Sequence, residues 1–318
     1  MKEKLRIAIL GIGGVGGYFG GKLAKHFADS KDTEIIFIAR GENAKTIRLK
    51  GLQVVTSSAS FQAKPHLVSN EADEIGIVDL FLVCTKAYSL EESIIKFREC
   101  LGEKTVILPL LNGVNHAETI KKIVPNVEVW NGCAFIVSRL IEAGVVKIES
   151  DIKLLQFGSF NGTKEKLEKF DHLLKSAGID AELSSDIDKT VWEKFIFISS
   201  LATLTSYLDT NVGGVNSSVE NQNLLIQLIA EVTSLAKAKK INIAGNIEEI
   251  TFERIKGAPP ESTSSMHSDF MKKGKTELET LTGYVVREGQ RLNLPTPTYE
   301  RLYAELMKRN ETTKSAGY

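Results

Sequence analysis

A glycine-rich segment near the start of the chain has the spacing expected of a phosphate-binding turn. Residues 11–16 read Gly-Ile-Gly-Gly-Val-Gly, the pattern G-x-G-x-x-G, between a short apolar run and a helical pattern. In such a turn Gly11 permits the tight bend, Gly13 leaves room for a pyrophosphate, and Gly16 allows close helix–strand packing. Together with Gly14 they form the predicted dinucleotide site, because a helix N-terminus presents free N–H groups to an anion. The alternative is an ordinary strand-to-helix turn.

The end of the second predicted strand indicates which dinucleotide would bind. Sites for NAD usually carry an Asp or Glu about 20 residues beyond the glycines, and this residue binds the ribose 2′-hydroxyl. Here the strand ends in Ala39-Arg40-Gly41. Arg40 offers a planar pair of donors suited to a 2′-phosphate, and Lys45 is close by in sequence. The sequence therefore favours NADPH. The alternatives are a solvated charge at Arg40 and an NAD site in which Glu42 binds the ribose.

The elements that would position these residues alternate between short apolar runs and helical patterns. Buried parallel strands are predicted for four runs: Arg6–Gly11, Glu34–Arg40, Val78–Thr85 and Thr105–Pro109. A helix over Gly16–Phe27 follows the first, and the alternation predicts an N-terminal Rossmann domain with a parallel sheet. Strand-like runs within residues 133–160 are expected to complete that sheet, and Lys164–Ala177 to form a further helix.

The pattern becomes entirely helical beyond about residue 185. Ile187–Leu208 is apolar nearly all round, which predicts a central buried helix. Further helices are expected at Asn221–Lys240, Ile247–Lys256 and Thr276–Leu292. We therefore divide the chain into a Rossmann domain, residues 1–185, and an all-helical domain, residues 186–318. A cleft between two such domains is a common ligand site.

Two polar residues directly follow predicted strands of the Rossmann domain. Lys86 comes after the run that ends at Thr85, and Asn112 comes shortly after Pro109. In an open α/β sheet, ligands bind outside the carboxyl ends of the strands, so both residues are expected near the nicotinamide end of the cofactor. The alternatives are a solvated lysine and a turn asparagine in Asn-Gly.

Composition excludes several classes of partner. Lys+Arg and Asp+Glu both number 40, and this balance, without a basic block, argues against nucleic acid or an anionic membrane as the partner. No run of 18 apolar residues predicts a membrane span. Cys84, Cys100 and Cys133 fit neither a disulfide framework nor a zinc spacing, and they predict reduced thiols in a cytoplasmic protein without a metal. The sequence leaves open whether the protein is a monomer or a homodimer.

Seven short segments, spread over most of the chain, form an ordered set. They are the glycine turn, Ala39-Arg40-Gly41, Thr85-Lys86-Ala87-Tyr88, Leu108-Pro109-Leu110-Leu111-Asn112-Gly113-Val114, Val191-Trp192-Glu193-Lys194-Phe195, Ser264-Ser265-Met266 and Thr276-Glu277. Each is weakly specific alone, but the ordered set resembles the 2-dehydropantoate 2-reductase (ketopantoate reductase) family. The resemblance implies a helical domain like the C-terminal domain of 6-phosphogluconate dehydrogenase. It also implies NADPH-dependent reduction of 2-dehydropantoate to (R)-pantoate in pantothenate biosynthesis.

The resemblance implies that Lys194 is the catalytic lysine. It lies three residues after Val191 and four before Ile198, so it shares a helix face with them. Its ammonium would hydrogen-bond the ketone oxygen, stabilise the charge that develops there during hydride transfer, and supply the proton. The alternative is a helix lysine whose ammonium only extends into solvent.

The family's carboxylate and its substrate-binding serine fall on Glu277 and Ser265. These residues are 12 positions apart, which is about 18 Å on one straight helix at 1.5 Å per residue. We therefore predict a helix break at Lys272–Lys275, with Thr276 capping a new helix and Glu279 closing a capping box. Glu277 would bind the substrate hydroxyl and orient the catalytic lysine. The alternatives are compensation of the helix dipole by Glu277 and helix capping by Ser265.

The resemblance also assigns Asn112 to the cofactor and Lys86 to the junction of cofactor and substrate. Two departures concern the substrate pocket. Related reductases carry asparagines four and eight residues after the catalytic lysine, where this chain has Ile198 and Ala202, and Leu111 replaces a glutamine before Asn112. These changes predict a less polar pocket.

The alternatives for function follow from these departures. One is reduction of a different small 2-oxo acid, and another is a non-catalytic NADPH-binding sensor of the same fold. Retention of Lys194 with Glu277 favours an enzyme, since a sensor needs neither residue.

Overall fold

The chain forms two compact units, each with its own hydrophobic core. The structure, a computed structural model, describes residues 4–159 and 161–315. The first unit comprises Met1–Leu111 and Asn115–Ile187, and the second comprises Asn112–Val114 and Asp188–Tyr318. Asn112–Val114 follow a strand of the first unit in sequence but group with the second.

The first unit contains the strands. In chain order they are β1 (Leu5–Leu10), β2 (Thr33–Ile38), β3 (Leu52–Val55), β4 (Ser60–Ala63), β5 (Leu67–Ser69), β6 (Val78–Val83), β7 (Leu101–Pro109), β8 (Glu128–Val129), β9 (Asn131–Phe135), β10 (Ser138–Glu142), β11 (Val145–Ile148), β12 (Leu154–Gly158) and β13 (Asp180–Leu183). Six of them form a parallel sheet in the order β5-β2-β1-β6-β7-β8. The order reverses direction between β1 and β6, which is where dinucleotides bind in doubly wound sheets. The predicted Rossmann sheet is confirmed.

Helices pack against the strands of the first unit. They are α1 (Gly14–His26), α2 (Gly41–Lys50), α3 (Ala72–Ile75), α4 (Leu90–Lys96), α5 (His116–Ile123) and α6 (Lys164–Ser176). On β1, Ile7 and Ile9 belong to one buried cluster and Ala8 and Leu10 to another. Because successive strand residues point to opposite faces, both faces of the central strand are buried, as the unbroken apolar run predicted.

The strands between residues 131 and 158 do not complete the parallel sheet, so that prediction is wrong. β10 and β11 form an antiparallel hairpin in a second sheet of order β10-β11-β3-β4, and a third sheet has the order β13-β12-β9. The physical reason is the short turn at Gly144, whose φ is +74°. A turn of this length joins antiparallel strands, whereas a further parallel strand needs a crossover connection.

The second unit is helical, and its described residues from 188 to 315 contain no strand. Its helices are α7 (Ile187–Leu208), which starts at the last residue of the first unit, α8 (Val212–Asn216), α9 (Val219–Ala238), α10 (Ile247–Lys256), α11 (Ser265–Met271), α12 (Tyr284–Arg291) and α13 (Pro297–Ser315). The bounds predicted for α7 and α10 are confirmed. Trp192, Phe195 and Tyr284 pack ring against ring in the core, and this packing holds α7 against α12.

Within residues 4–159 and 161–315, no helix combines the length and the apolar character needed to cross a bilayer.

Candidate functional site

The glycine turn connects β1 to α1 with a backbone that two of its glycines require. Gly11 has a φ of +91°, and a Cβ at this position would lie 3.0 Å from Cγ2 of Thr85. A Cβ on Gly16 would collide with the carbonyl oxygen of Gly11. The left-handed φ and the close approach of helix to turn therefore both require glycine, as the spacing predicted.

The N-terminus of α1 has the features of an anion site. Gly13 is its N-cap, with no side-chain cap and no acidic residue in the first turn. The first helical bond runs from the Gly17 N–H to the Gly13 carbonyl at 2.8 Å, so the N–H groups of Gly14, Val15 and Gly16 have no acceptor within the helix. A Cβ built on Gly13 would meet no heavy atom within 4 Å. Free donors beside open space fit a pyrophosphate.

Thr85 is a residue at this turn that sequence reasoning missed. It follows β6, touches the Gly11 position, and its hydroxyl oxygen is buried without a hydrogen-bond partner among the described residues. Such an orphaned hydroxyl costs about 1–3 kcal/mol, and a ligand bound at the turn would supply a partner. Its signal in the sequence is its position, since it is a polar residue at the carboxyl end of a buried strand.

Arg40 is exposed at the start of α2. It is the N-cap of that helix, with an extended backbone, and its guanidinium makes no hydrogen bond or ion pair within the described parts of the chain. Lys45 instead pairs with Glu42 at 3.5 Å, and both side chains are exposed. The guanidinium is therefore available to an anionic ligand, whereas Glu42 is engaged by a cation.

Lys194 and Asn112 come together within the second unit. Lys194 is half-buried in the middle of α7, and its Nζ donates to Oδ1 of Asn112 at 3.4 Å. Asn112 is held in this unit by its neighbour Val114, which packs against the second core. An ammonium beside an amide oxygen gives a polar pair that can bind and protonate a carbonyl oxygen. Lys86 lies in the first unit, half-exposed, at the start of a short turn after β6.

Glu277 lies at the helix break that the sequence predicted. α11 ends at Met271, Lys273 has a φ of +53°, and the chain is helical again from Leu278 onwards. Glu277 is only 3% exposed. Its backbone carbonyl accepts hydrogen bonds from the N–H groups of Thr280 at 3.1 Å and Leu281 at 2.9 Å. The break is confirmed, and it separates Glu277 from α11.

The predicted capping box at this break is wrong. The Thr276 hydroxyl is buried and has no hydrogen-bond partner within residues 4–159 and 161–315. Glu279 accepts hydrogen bonds from Arg287 and from the Tyr303 hydroxyl instead. The reason is that the helix begins with a π-helical turn, Glu279–Gly283, so Glu279 is not the third residue of an α-helix.

A buried polar network holds this π-helical turn against α7. Ser199 donates to the Leu281 carbonyl at 2.7 Å and bonds the Tyr299 hydroxyl at 2.7 Å, and Thr203 bonds Thr282 at 2.8 Å. Burial raises the pKa of Tyr299, so its hydroxyl stays protonated and able to donate. π-helical turns are often found at functional sites. Here the network fixes the segment that follows Glu277.

Ser265 is the exposed first residue of α11, and its neighbours tie this segment to the end of α7. The helix cap is Ser264, whose oxygen accepts from the His267 N–H at 3.0 Å and which bonds the Thr205 hydroxyl at 2.9 Å. His267 in turn bonds Thr263 and Asp209 at 2.7 and 3.0 Å. Ser265 itself therefore does not cap the helix.

The positions where the chain departs from the family's pattern lie mostly in the cores. Leu111 is 5% exposed in the first unit's core, and Ala202 is 2% exposed in the second unit's core. Ile198 is only partly buried. The expected loss of pocket polarity therefore does not apply to Leu111 and Ala202, whose side chains are covered by other apolar groups.

The three cysteines are free thiols. Burial raises the pKa of Cys84 to about 12 and that of Cys100 to about 11. Both thiols are therefore protonated near neutral pH, which argues against a nucleophilic role.

Comparison with known proteins gives matches over both units. Residues 7–162 match the family model described as ketopantoate reductase PanE/ApbA, and residues 186–310 match the one described as ketopantoate reductase PanE/ApbA C terminal. The chain is 27% identical over 303 residues to the uncharacterized oxidoreductase YkpB of Bacillus subtilis, covering 95% of this chain and 98% of that protein.

Two solved structures share the fold. One is 2-dehydropantoate 2-reductase from Porphyromonas gingivalis W83, with 36% identity, a TM-score of 0.83, and coverage of 96% of this chain and 100% of that chain. The other is D-mandelate dehydrogenase with NADH and anilino(oxo)acetate, with 23% identity, a TM-score of 0.86, and coverage of 98% and 100%.

Proposed function

The chain belongs to the ketopantoate reductase family, and from this premise we propose that it reduces 2-dehydropantoate to (R)-pantoate, a step of pantothenate biosynthesis. It is an NADP-dependent oxidoreductase that acts on a small 2-oxo acid. The alternative of a non-catalytic NADPH-binding sensor is therefore excluded. The observation that carries the proposal is the half-buried ammonium of Lys194 bonded to the amide of Asn112. The two units correspond in our proposal to a cofactor-binding domain, residues 1–185, and a substrate domain, residues 186–318.

The first unit supplies the cofactor contacts. The free N–H groups of Gly14 and Gly16 at the start of α1 hold the pyrophosphate, and Gly11 and Gly13 shape the turn around it. Arg40 binds the 2′-phosphate with its unpaired guanidinium. When bound, NADPH supplies the hydride that reaches the carbonyl carbon of the substrate.

Lys194 does the proton chemistry. Its ammonium donates a hydrogen bond to the substrate's ketone oxygen and stabilises the negative charge that develops there. It then transfers a proton to that oxygen, which completes the hydroxyl of the product. Asn112 holds the ammonium in place through the bond at 3.4 Å.

The remaining site residues hold the substrate. The buried carboxylate of Glu277 accepts a hydrogen bond from the substrate hydroxyl and orients the ammonium of Lys194. The exposed hydroxyl of Ser265 donates to the substrate carboxylate, and Lys86 and Asn112 contact both substrate and cofactor. The π-helical turn and its bonds to Ser199 support this arrangement, because they fix the chain directly after Glu277.

A different 2-oxo acid is the second candidate substrate. The observation that favours it is Ile198, a partly exposed apolar side chain where related reductases carry an asparagine. An isoleucine there favours a substrate with an apolar side chain over one with a hydroxyl, because a hydroxyl would lose its hydrogen-bond partner.

The test is turnover of NADPH with a panel of 2-oxo acids. The panel contains 2-dehydropantoate, 3,3-dimethyl-2-oxobutanoate, which is the same molecule without the hydroxyl, and benzoylformate. We expect the highest kcat/KM with 2-dehydropantoate. A preference of tenfold or more for either of the others would establish the second candidate, and no turnover with any member would contradict both.

A further inference from the structure

Asn43 joins the glycine turn to a distant hairpin. It lies in the first turn of α2, and its Nδ2 donates to the Ile12 carbonyl at 2.9 Å. Its Oδ1 accepts from the Gly144 N–H at 2.8 Å. Ile12 is inside the glycine turn, and Gly144 forms the turn between β10 and β11. Both ends of the amide are used, so the side chain has one orientation that satisfies both bonds.

The hairpin that bonds Asn43 is itself held in place by contacts with α2 and α1. A Cβ on Gly144 would lie 2.7 Å from Cγ2 of Thr46 on α2, and the Gly144 carbonyl accepts from the Gln53 N–H at 2.8 Å. The other end of the hairpin reaches α1, because a Cβ on Gly14 would collide with the Ser138 carbonyl. The hairpin therefore packs on both α2 and the start of α1.

The direction of the Ile12 carbonyl decides where the Gly13 N–H points. The two groups belong to one planar trans peptide, so they point in opposite directions. With the carbonyl bonded to Asn43, the Gly13 N–H points away from Asn43, and it makes no hydrogen bond with the residues that the structure describes. Since Gly13 lacks a Cβ, this peptide can rotate at little cost. A rotated peptide would present an oxygen in place of the donor.

We propose that Asn43 is a positioning residue of the cofactor site, which holds the Ile12–Gly13 peptide so that its N–H donates to the pyrophosphate. The inference rests on the proposed assignment of the glycine turn to the pyrophosphate. Because NADPH and NADH share that group, Asn43 supports the binding of both to the same degree. Arg40, only three residues earlier, contacts the 2′-phosphate, which NADH lacks.

The test is the dissociation constant of each nucleotide, measured by titration calorimetry on the full chain. Asn43→Asp keeps the shape and the acceptor for Gly144, but it replaces the donor to Ile12 with an oxygen. We expect it to weaken the binding of NADPH and of NADH by the same factor, about tenfold or more, as for a lost hydrogen bond to a charged group. Asn43→Ala should weaken the binding of both nucleotides as well. With saturating nucleotide, kcat should stay within about twofold of the wild-type value.

Asn221→Ala is the matched control. Asn221 also donates its Nδ2 to a backbone carbonyl, that of Gly214, at 2.9 Å, but in the second unit. It should leave both dissociation constants unchanged. Asn43→Ala could be unstable, because it also loses the bond to Gly144. In that case nucleotide binding is measured on Asn43→Asp, which keeps that bond, at a temperature where a thermal unfolding curve shows the variant folded.

Two results would overturn the inference. One is wild-type affinity of Asn43→Asp for both nucleotides, and the other is a loss confined to NADPH, which would assign Asn43 to the 2′-phosphate. Gly13→Ala separates this from a failure of the proposed site. If Gly13→Ala weakens the binding of both nucleotides and Asn43→Asp weakens the binding of neither, only the role proposed for Asn43 is wrong. If Gly13→Ala binds normally, the pyrophosphate assignment itself is wrong.

Discussion

The glycine turn of the first unit is built from consecutive residues, whereas the polar site of the second unit joins residues far apart in sequence. Gly11 to Gly16 lie between β1 and α1, and their role follows from backbone conformation alone. Lys194 and Asn112 are 82 residues apart, and their meeting depends on how α7 packs in the second core. A backbone site is therefore visible in a short motif, while a side-chain site depends on the whole helical unit.

This difference predicts that the two regions fail differently when altered. Damage to the turn should reduce nucleotide affinity and leave the chemistry of the bound complex intact. Damage to Lys194 should do the reverse. Changes at Lys194, Gly13 and Arg40 test the two sides of that division.

The largest expected effect is that of Lys194→Ala on turnover. Loss of the proton donor and of the charge opposite the ketone oxygen should lower kcat by about a thousandfold. The dissociation constant of NADPH should change by less than about twofold, because the proposed pyrophosphate and 2′-phosphate contacts lie in the first unit. Steady-state kinetics and calorimetry measure the two quantities. Lys237→Ala is the control, since Lys237 is an exposed lysine paired with Glu248. A kcat within tenfold of the wild-type value would refute the role of Lys194.

Gly13→Ala should have the next largest effect, on affinity alone. The added Cβ meets no protein atom within 4 Å and φ is −98°, so the apo protein should unfold within about 2 °C of the wild-type temperature. The Cβ would occupy the space next to the pyrophosphate, and we expect NADPH binding to weaken by about thirtyfold or more. Gly245→Ala, at an equally open position in the second unit, is the control. Unchanged affinity of Gly13→Ala would place the phosphates elsewhere.

Arg40→Ala should separate the two nucleotides. Loss of a bidentate contact to a phosphate predicts NADPH binding that is weaker by about ten- to a hundredfold, with NADH binding unchanged. Lys45→Ala should have a smaller effect, because Lys45 already pairs with Glu42. Competition binding of both nucleotides measures the ratio. Equal losses of affinity for NADPH and NADH would show that Arg40 does not bind the 2′-phosphate.

The smallest predicted effect concerns the packing of the second unit. Hydrogen bonds from Arg291 lower the pKa of Glu288 to about 2, against the effect of burial. A further bond from Lys239, the residue directly after α9, also lowers it. Because the pKa is lower in the folded state, the stabilisation is present above the ordinary carboxyl pKa and is lost as pH falls towards 2. Glu288→Gln should therefore lower the free energy of unfolding by about 1 kcal/mol at pH 7.

Denaturant unfolding across pH checks this prediction. The difference between wild type and Glu288→Gln should shrink as pH falls from about 5 to about 2. Glu253→Gln, which removes an exposed partner of Lys256, should change the free energy of unfolding little at any pH. A constant difference for Glu288→Gln would mean that the ion pair does not stabilise the fold.

Much of the fold could be predicted because buried elements carry strong local patterns. The apolar runs gave β1, β2 and β6, and the continuous apolar surface gave α7 with its observed bounds. The second and third sheets were not predictable in this way. Whether β11 joins the main sheet or pairs with β3 depends on contacts between distant segments, and a short apolar run looks the same in either case.

The candidate site was predictable where a motif or a resemblance marked it. The sequence did not reveal the residues that act through tertiary contacts. These are Thr85 beside Gly11, Asn43 between two turns, and Ser199 on α7, which donates to the π-helical turn. The capping box failed for a related reason. Thr276 and Glu279 have the right types and spacing for a capping box. However, the helix starts with a π-helical turn that is bonded to α7 through Leu281 and Thr282, so Glu279 is not at the third position of an α-helix.

In the proposed reaction, hydride from NADPH and a proton from Lys194 reduce the ketone of a 2-oxo acid. The most direct measurement is mass spectrometry of the product formed from NADPH deuterated at the transferable position of the nicotinamide. We expect one deuterium on the carbinol carbon of the product with the wild-type protein, and almost none in the same time with Lys194→Ala loaded with the same nucleotide. Equal labelling by both proteins, or no labelled product from any 2-oxo acid of the panel, would contradict it.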